Sequence, residues 1–181
     1  MTAPAQRVLC LSGSLRRASS NTAALQAARQ LAPSTIDLEL YEGLGALPLF
    51  NPDDEMAAVP ASVSALREAV GRADALLIAC PEYAHGVPGA FKNLLDWLVG
   101  SLEFPGKPVL LLNTAARGSY HAQEALAEIL VTISAQLLAP QPVLVALPGA
   151  GCSAAQVLVS AERCAELQAA LDVLAEALPV A

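Results

Sequence analysis

The hydrophobic residues of this chain fall into short continuous runs, separated by longer stretches in which they recur with helical period. Residues 8–11, 75–80 and 109–112 are apolar at successive positions, which is typical of strands buried on both faces of a parallel sheet. Residues 36–40 alternate between apolar and polar, and residues 143–147 are flanked by two prolines. Both patterns suit strands at or near a sheet edge, because proline cannot donate to the strand ladder.

The stretches between these strands predict helices. The first presents a face of small residues at Ala24, Ala27, Ala28 and Leu31. Further helical patterns cover residues 62–71, 90–99, 122–138 and 154–178. This alternation of strand and helix, five times over, predicts a parallel five-stranded sheet in a three-layer, doubly wound α/β fold. We expect residues 1–181 to form a single domain.

Ligands of doubly wound sheets bind beyond the carboxyl ends of the strands, where the winding direction reverses. The loops at that edge follow the first, third and fourth predicted strands and cover residues 12–21, 81–88 and 113–120. We therefore expect a binding site to be built from these three loops.

The first of these loops has the composition of an anion site. It leaves a buried strand and enters a helix whose first N–H groups have no partner within the helix, and these groups favour a phosphate. Gly13 permits a turn, hydroxyl and amide donors follow it, and Arg16 can pair with phosphate oxygens. The alternative is a serine-rich turn with a helix cap and two solvated arginines. The G-x-G-x-x-G and G-x-x-x-x-G-K-[ST] fingerprints are both absent, so a mononucleotide fits better than a dinucleotide.

Composition and charge narrow the functional classes. The chain is 55% hydrophobic with a net charge of −7, which argues against nucleic-acid binding. Residues 1–36 nevertheless carry four arginines and no acid, so this part would attract a small anion.

The sequence shows neither a membrane-spanning run nor a signal-peptide pattern, which predicts a cytoplasmic protein. Its four cysteines have no C-x-x-C spacing, so we predict no metal site and interpret them as core residues.

Two motifs together resemble a known family. G-S-L-R-x-x-S-x-N begins at Gly13, and P-E-Y-x-x-x-x-P-G-x-x-K-N-x-x-D-W runs from Pro81 to Trp97. The pair looks like the NADPH-dependent FMN reductase family, which includes quinone, chromate and azo reductases. The resemblance implies a flavodoxin-like fold with sheet order 2-1-3-4-5, noncovalently bound FMN, and NADPH or NADH as reductant. It also implies a homodimer or homotetramer.

The resemblance assigns FMN-binding roles to residues of all three loops. The first loop would bind FMN through Ser12, Ser14, Leu15, Arg16, Ser19, Ser20 and Asn21, and all of these except Ser12 and Leu15 would bind its phosphate. The second would run along the isoalloxazine through Pro81, Glu82, Tyr83, Ala84 and Gly86, and the third would contribute Thr114, Ala115 and Gly118. Many relatives carry Asn and Ser where this chain has Ala84 and Gly86, so here backbone groups must hold the ring.

The implied activity is hydride transfer from NAD(P)H to FMN, and then to a quinone, free flavin, azo compound or metal oxyanion. Because the cofactor carries this chemistry, no catalytic acid or base is predicted. Tyr83 and His85 lie where a nicotinamide or quinone could stack, and Trp97 lies off the apolar helix stripe, where we expect it to pack against a partner. The alternative function is a flavodoxin-like electron-transfer or flavin-binding module without nicotinamide turnover.

Overall fold

The computed structural model describes residues 4–115, 119–149 and 151–178, and its centre is a parallel sheet. The sheet order is β2-β1-β3-β4-β5, and β6 also pairs with β4. The strands are β1 (Gln6–Ser12), β2 (Ile36–Leu40), β3 (Ala75–Ala79), β4 (Pro108–Ala115), β5 (Gln136–Leu137) and β6 (Val143–Leu147). The predicted flavodoxin-like order 2-1-3-4-5 is confirmed.

The fifth position of the sheet is shared by two segments, where the sequence predicted one strand. β5 pairs with the start of β4, and β6 pairs with its end. The predicted helix over residues 122–138 is therefore wrong beyond Thr132, the last residue of α5 (Tyr120–Thr132). Ser134 adopts a φ of 70°, and the N–H of Gln136 then donates to the carbonyl of Lys107. A left-handed residue ends the helix because it cannot continue the α conformation.

Helices cover both faces of the sheet, as predicted. Besides α5 they are α1 (Ser20–Leu31), α2 (Pro52–Ala57), α3 (Ala61–Arg72), α4 (Gly89–Val99), α6 (Ala154–Leu158) and α7 (Ala161–Ala177). The short helix α2 was not predicted. The single helix predicted over residues 154–178 is wrong, because Ser160 interrupts it and its side chain accepts from the N–H of Arg163, which starts a new helix. None of the described helices is long and apolar enough to cross a bilayer.

The core lies on both sides of the sheet because successive strand residues point to opposite faces. Cys10 and Leu77 pack with α1, α6 and α7, whereas Leu9 and Leu76 pack with α3, α4 and α5. Cys10, Cys80 and Cys152 are buried, Cys164 is half-buried, and all four are free thiols. The interpretation of the cysteines as core residues therefore holds for three of the four.

Trp97 is fully buried within its own chain, so the expectation that it packs against a partner is wrong. Its indole N–H donates to the carbonyl of Pro48 at 2.8 Å, and its ring meets Phe50 edge-on with centroids 4.9 Å apart. Asn93 holds this segment in place, since its side chain accepts from the N–H of Phe50 and donates to the carbonyl of Pro48. Residues 48–50 cover the side of α4 that the helical pattern left exposed.

We expect Trp97→Ala to lower the free energy of unfolding by about 3–5 kcal/mol, because it leaves a large cavity and removes the indole hydrogen bond to the Pro48 carbonyl. Urea denaturation measures this change. Leu102→Ala is the control, since Leu102 is 93% exposed and its truncation should change stability by less than about 0.5 kcal/mol. A Trp97→Ala variant as stable as the control would contradict the assigned packing.

Candidate functional site

A cavity of about 600 Å³ opens at the carboxyl ends of β1, β3, β4 and β6. This volume lies within the range of cofactor and small-molecule sites. The lining residues are Ser14, Arg16, Ser19, Ser20, Asn21, Cys80, Pro81, Glu82, Tyr83, Thr114, Ala115, Ser119, Leu147, Pro148 and Gly149. The cavity is thus lined both by polar side chains of the loop between β1 and α1 and by the segments after the other strands.

The loop after β1 is held tightly against the end of β3. The N–H of Gly13 donates to the carbonyl of Ala79 at 2.9 Å. A Cβ atom at Gly13 would lie 2.6 Å from the Cys80 sulfur and 3.1 Å from the Cys80 Cα. The Cys80 sulfur would have to move, and the Cys80 backbone would have to shift by a few tenths of an ångström, so this position strongly favours glycine. This close approach places the N-terminus of α1 at the cavity.

The start of α1 is capped and cross-linked to neighbouring strands. Ser19 is buried, and its hydroxyl accepts from the N–H of Thr22. The Asn21 side-chain oxygen accepts from the Thr114 hydroxyl at 2.9 Å, and the Ser20 hydroxyl donates to the carbonyl of Gly149 at 2.5 Å. The ends of two strands, β4 and β6, therefore hold residues predicted to face a phosphate.

Most of the predicted site residues line the cavity, but four do not. Ser12 and Leu15 line a smaller cavity of about 210 Å³ on the β2 side of Ser14, and the Ser12 hydroxyl bonds to the hydroxyl of Thr22. Ala84 and Gly86 belong to a turn outside the lining residues. Gly118, the remaining predicted residue, lies outside the part of the chain that the structure describes.

Sequence reasoning missed five of the lining residues, which are Cys80, Ser119, Leu147, Pro148 and Gly149. Leu147 ends β6, and Pro148 and Gly149 follow it, whereas the sequence pattern predicts a site built from the loops after the first, third and fourth strands. The signal was present, because a proline and a glycine directly follow the apolar run of residues 143–147. Burial raises the pKa of the Cys80 thiol to about 12, so this cavity residue is a neutral thiol near pH 7 and not a nucleophile.

The segment after β3 forms a tight hairpin beside the cavity. Tyr83 and Gly86 exchange both backbone hydrogen bonds, at 3.1 and 3.0 Å. The two residues between them, Ala84 and His85, have φ values of 50° and 58°. Positive φ at both central positions is typical of a type I′ turn, which favours Asn and Gly. Alanine is strained in this conformation because its Cβ crowds the following carbonyl.

Glu82 connects this hairpin to α5. Its carboxylate accepts from the N–H of Ala122 at 3.0 Å, at the positive end of the helix dipole. Glu82 is therefore bonded to α5 of its own chain. The described residues contain no cluster of three or more potential metal ligands.

Residues 6–148 match the family model of NADPH-dependent FMN reductases. The chain belongs to this family. It is 40% identical over 128 residues to the NAD(P)H-dependent FMN reductase PA1204 of Pseudomonas aeruginosa, covering 66% of this chain and 69% of that protein. It is 34% identical over 141 residues to a quinone reductase of Escherichia coli, covering 73% of each.

The fold comparison agrees with the family. FerB of Paracoccus denitrificans, described as a flavoenzyme NAD(P)H:(acceptor) oxidoreductase, superposes with a TM-score of 0.72 at 26% identity. The superposition covers 94% of this chain and 98% of FerB. The chain is therefore an oxidoreductase of the FMN reductase type, with FMN and NAD(P)H as its cofactors.

The cavity of this FMN reductase is lined by groups that suit the phosphate and the ring of FMN. One end carries the hydroxyl of Ser14 and the guanidinium of Arg16, which suit a phosphate. The remaining wall includes the flat, apolar surfaces of Pro81, Tyr83 and other residues, which suit an aromatic ring. The cavity therefore combines hydrogen-bond donors for a phosphate with an apolar wall for a ring.

Because Ala84 is in the left-handed region, we expect Ala84→Asn to raise the free energy of unfolding by about 0.5–1 kcal/mol. Thermal or urea unfolding of the protein without FMN measures this effect. The matched control is Ala169→Asn, which makes the same chemical change in the interior of α7 and should destabilise by about 0.5 kcal/mol. If Ala84→Asn destabilises as much as the control, the turn assignment is wrong.

Proposed function

We propose that this protein is an NAD(P)H:quinone oxidoreductase that binds FMN in the 600 Å³ cavity and passes electrons through it to a quinone. The observation that carries this proposal is the meeting of the α1 N-terminus and Arg16 with the apolar wall of the hairpin in one cavity. Family membership identifies the cofactor, and the relatives named quinone reductases support the acceptor.

The phosphate of FMN would lie at the start of α1. Arg16 is exposed on the loop and supplies a planar cation, and the first N–H groups of the helix supply further donors. Residues 1–36 carry four positive charges and no negative ones, so the local field also favours a dianion. This loop would supply much of the affinity for FMN.

The ring would lie along residues 81–83. Backbone groups of this segment would orient the ring's polar edge, since the Glu82 carboxylate is already engaged with Ala122. When bound, FMN supplies the redox chemistry, accepting a hydride from NAD(P)H and reducing the acceptor. The chain's own contribution is then to hold the ring in place, keep one face open and exclude water from the other. No lining residue is required as a catalytic acid or base.

The proposal extends to further electron acceptors, to a homo-oligomer and to a cellular location. Azo compounds and metal oxyanions would be reduced as well, because an open slot over the ring selects acceptors only loosely. We propose a homodimer or homotetramer, in which the exposed side chains of Leu49 and Met56 would be covered by a partner. We propose a cytoplasmic location, where NAD(P)H is available.

The electron-carrier alternative is less well supported. The curated relatives are named as reductases. We expect anaerobic NADPH or NADH to bleach the visible flavin absorbance of the FMN-loaded protein, and a quinone added afterwards to restore it. Stopped-flow absorbance measures both half-reactions. A flavin that stays oxidised with both nucleotides would leave only a carrier or binding function.

We expect Arg16→Ala to weaken FMN binding by about tenfold to a hundredfold, the worth of a hydrogen bond to a charged group. Quenching of flavin fluorescence during titration measures the dissociation constant. Arg17→Ala is the matched control, because Arg17 carries the same charge one residue away and does not line the cavity. Equal losses for the two variants would indicate only a general electrostatic effect, and no loss for Arg16→Ala would refute its assigned role.

A further inference from the structure

The first turn of α5 is capped by a residue of the hairpin that follows β3. Ser119 occupies the N-cap position of α5, but its side chain makes no capping hydrogen bond. The N–H of Ala122, three residues later, donates instead to the Glu82 carboxylate at 3.0 Å. The first N–H groups of a helix have no partner within the helix. Glu82, 40 residues away in the sequence, therefore does here what the N-cap side chain does in most helices.

The same hydrogen bond fixes the hairpin. Within the described part of the chain, it is the one hydrogen bond that joins residues 81–86 to a distant segment. The two bonds between Tyr83 and Gly86 stay inside the hairpin, and both residues of the turn between them have positive φ. A strained turn keeps its position only where its surroundings determine it. The position of the hairpin relative to α5 therefore depends on the Glu82 side chain.

A second bond from α5 holds the base of this hairpin. Gln123, the residue after Ala122, is buried, and its side-chain N–H donates to the Cys80 carbonyl at 3.3 Å. Two successive residues of α5 thus hold the chain on either side of Pro81, which lines the cavity. The wall along which the flavin ring would lie is therefore attached to α5 at two points.

The remaining contact between the hairpin and α5 is the stacking of His85 on His121. Both histidines are exposed, and a contact between exposed rings contributes less than a hydrogen bond to a charged group. Glu82 is half-buried, so its bond competes less with water. Its carboxylate also lies at the positive end of the α5 dipole, which strengthens the bond. Beyond its base, the hairpin is therefore held mainly by Glu82.

We propose that Glu82 is a positioning residue for the flavin ring, which acts through α5 and not by contact of its carboxylate with the ring. While the carboxylate is bonded to Ala122, the backbone of residues 81–83 lies where it can meet the ring. Without this bond the hairpin moves, whereas the phosphate end keeps its bonds to β4 and to the end of β6. This inference rests on the proposed FMN site and adds the residue that orients the ring there.

The first measurement uses the protein without FMN and follows amide hydrogen exchange by NMR. Protection of the Ala122 N–H should fall at least about tenfold in Glu82→Ala, because its acceptor is lost. Glu82→Gln keeps a side-chain oxygen at this position and should retain most of the protection. Exchange of the Leu77 N–H, at the centre of the buried strand β3, corrects for any change in overall stability. Unchanged protection of Ala122 in Glu82→Ala would overturn the proposal.

The second measurement is the affinity for FMN and for riboflavin, by fluorescence titration at pH 8. We expect Glu82→Ala to weaken both flavins by the same factor of about tenfold, since both contain the ring. Glu82→Gln should stay within about threefold of the wild type for both, because the bond to α5 persists. Glu124→Ala is the matched control, since Glu124 is an exposed glutamate of the same helix that does not line the cavity. It should bind both flavins as the wild type does.

Three results of the titrations would overturn the inference. Wild-type affinity of Glu82→Ala for both flavins would show that the ring does not depend on this attachment. A loss in Glu82→Gln as large as in Glu82→Ala would show that the charge acts and not the position. A loss confined to FMN would place the effect at the phosphate. Failure of the wild-type protein to bind FMN would instead refute the proposed function.

Discussion

The close approach of Gly13 to Cys80 is the contact on which the arrangement of the site depends. A side chain at Gly13 would crowd the sulfur and backbone of Cys80 at the end of β3, and the Gly13 N–H donates there to the carbonyl of Ala79. The loop then turns directly into α1, whose N-terminus faces the cavity. A larger residue would push the loop away and move the helix dipole and Arg16 from the position in which they can hold a phosphate.

The rest of the cavity is arranged around this helix start. Asn21 is bonded to Thr114 on β4, and Ser20 to Gly149 after β6, so that distant parts of the chain converge on the first turn of α1. The hairpin after β3, which forms another wall of the cavity, contains a strained turn. It is held to α5 by the hydrogen bond from the Ala122 N–H to Glu82 and by the stacking of His85 on His121. The proposed phosphate end is thus cross-linked to β4 and to the end of β6, whereas the proposed ring end depends on one hairpin.

The fold could be predicted because it follows from local patterns. Continuous apolar runs and helical stretches alternate, and this alternation alone implies a parallel doubly wound sheet. The errors came from tertiary effects. The division of the last predicted strand into β5 and β6 depends on Ser134, which adopts a left-handed conformation. Trp97 is buried because residues 48–50 pack against α4, and the helical pattern of the sequence does not indicate this contact.

The sequence predicted the lining residues of the cavity that directly follow strand ends. It did not predict the positions that depend on hydrogen bonds or contacts between distant side chains. Arg16, Tyr83 and Thr114 line the cavity as the strand order suggested. Ser12 instead bonds to Thr22, because adjacent strand residues face opposite sides of the sheet. Gly149 was missed since its role depends on how β6 pairs with β4. His85 and His121 are 36 residues apart in the sequence, and their rings stack only in the folded chain.

The central claim is that the start of α1 and Arg16 hold the phosphate of FMN. The most direct test compares FMN with riboflavin, which has the same ring and no phosphate, by fluorescence titration of the wild-type protein at pH 8. The account predicts that riboflavin binds at least about tenfold more weakly, the least expected for the loss of charge-assisted hydrogen bonds. Equal affinities for the two flavins would show that this loop does not hold the phosphate and would contradict the account.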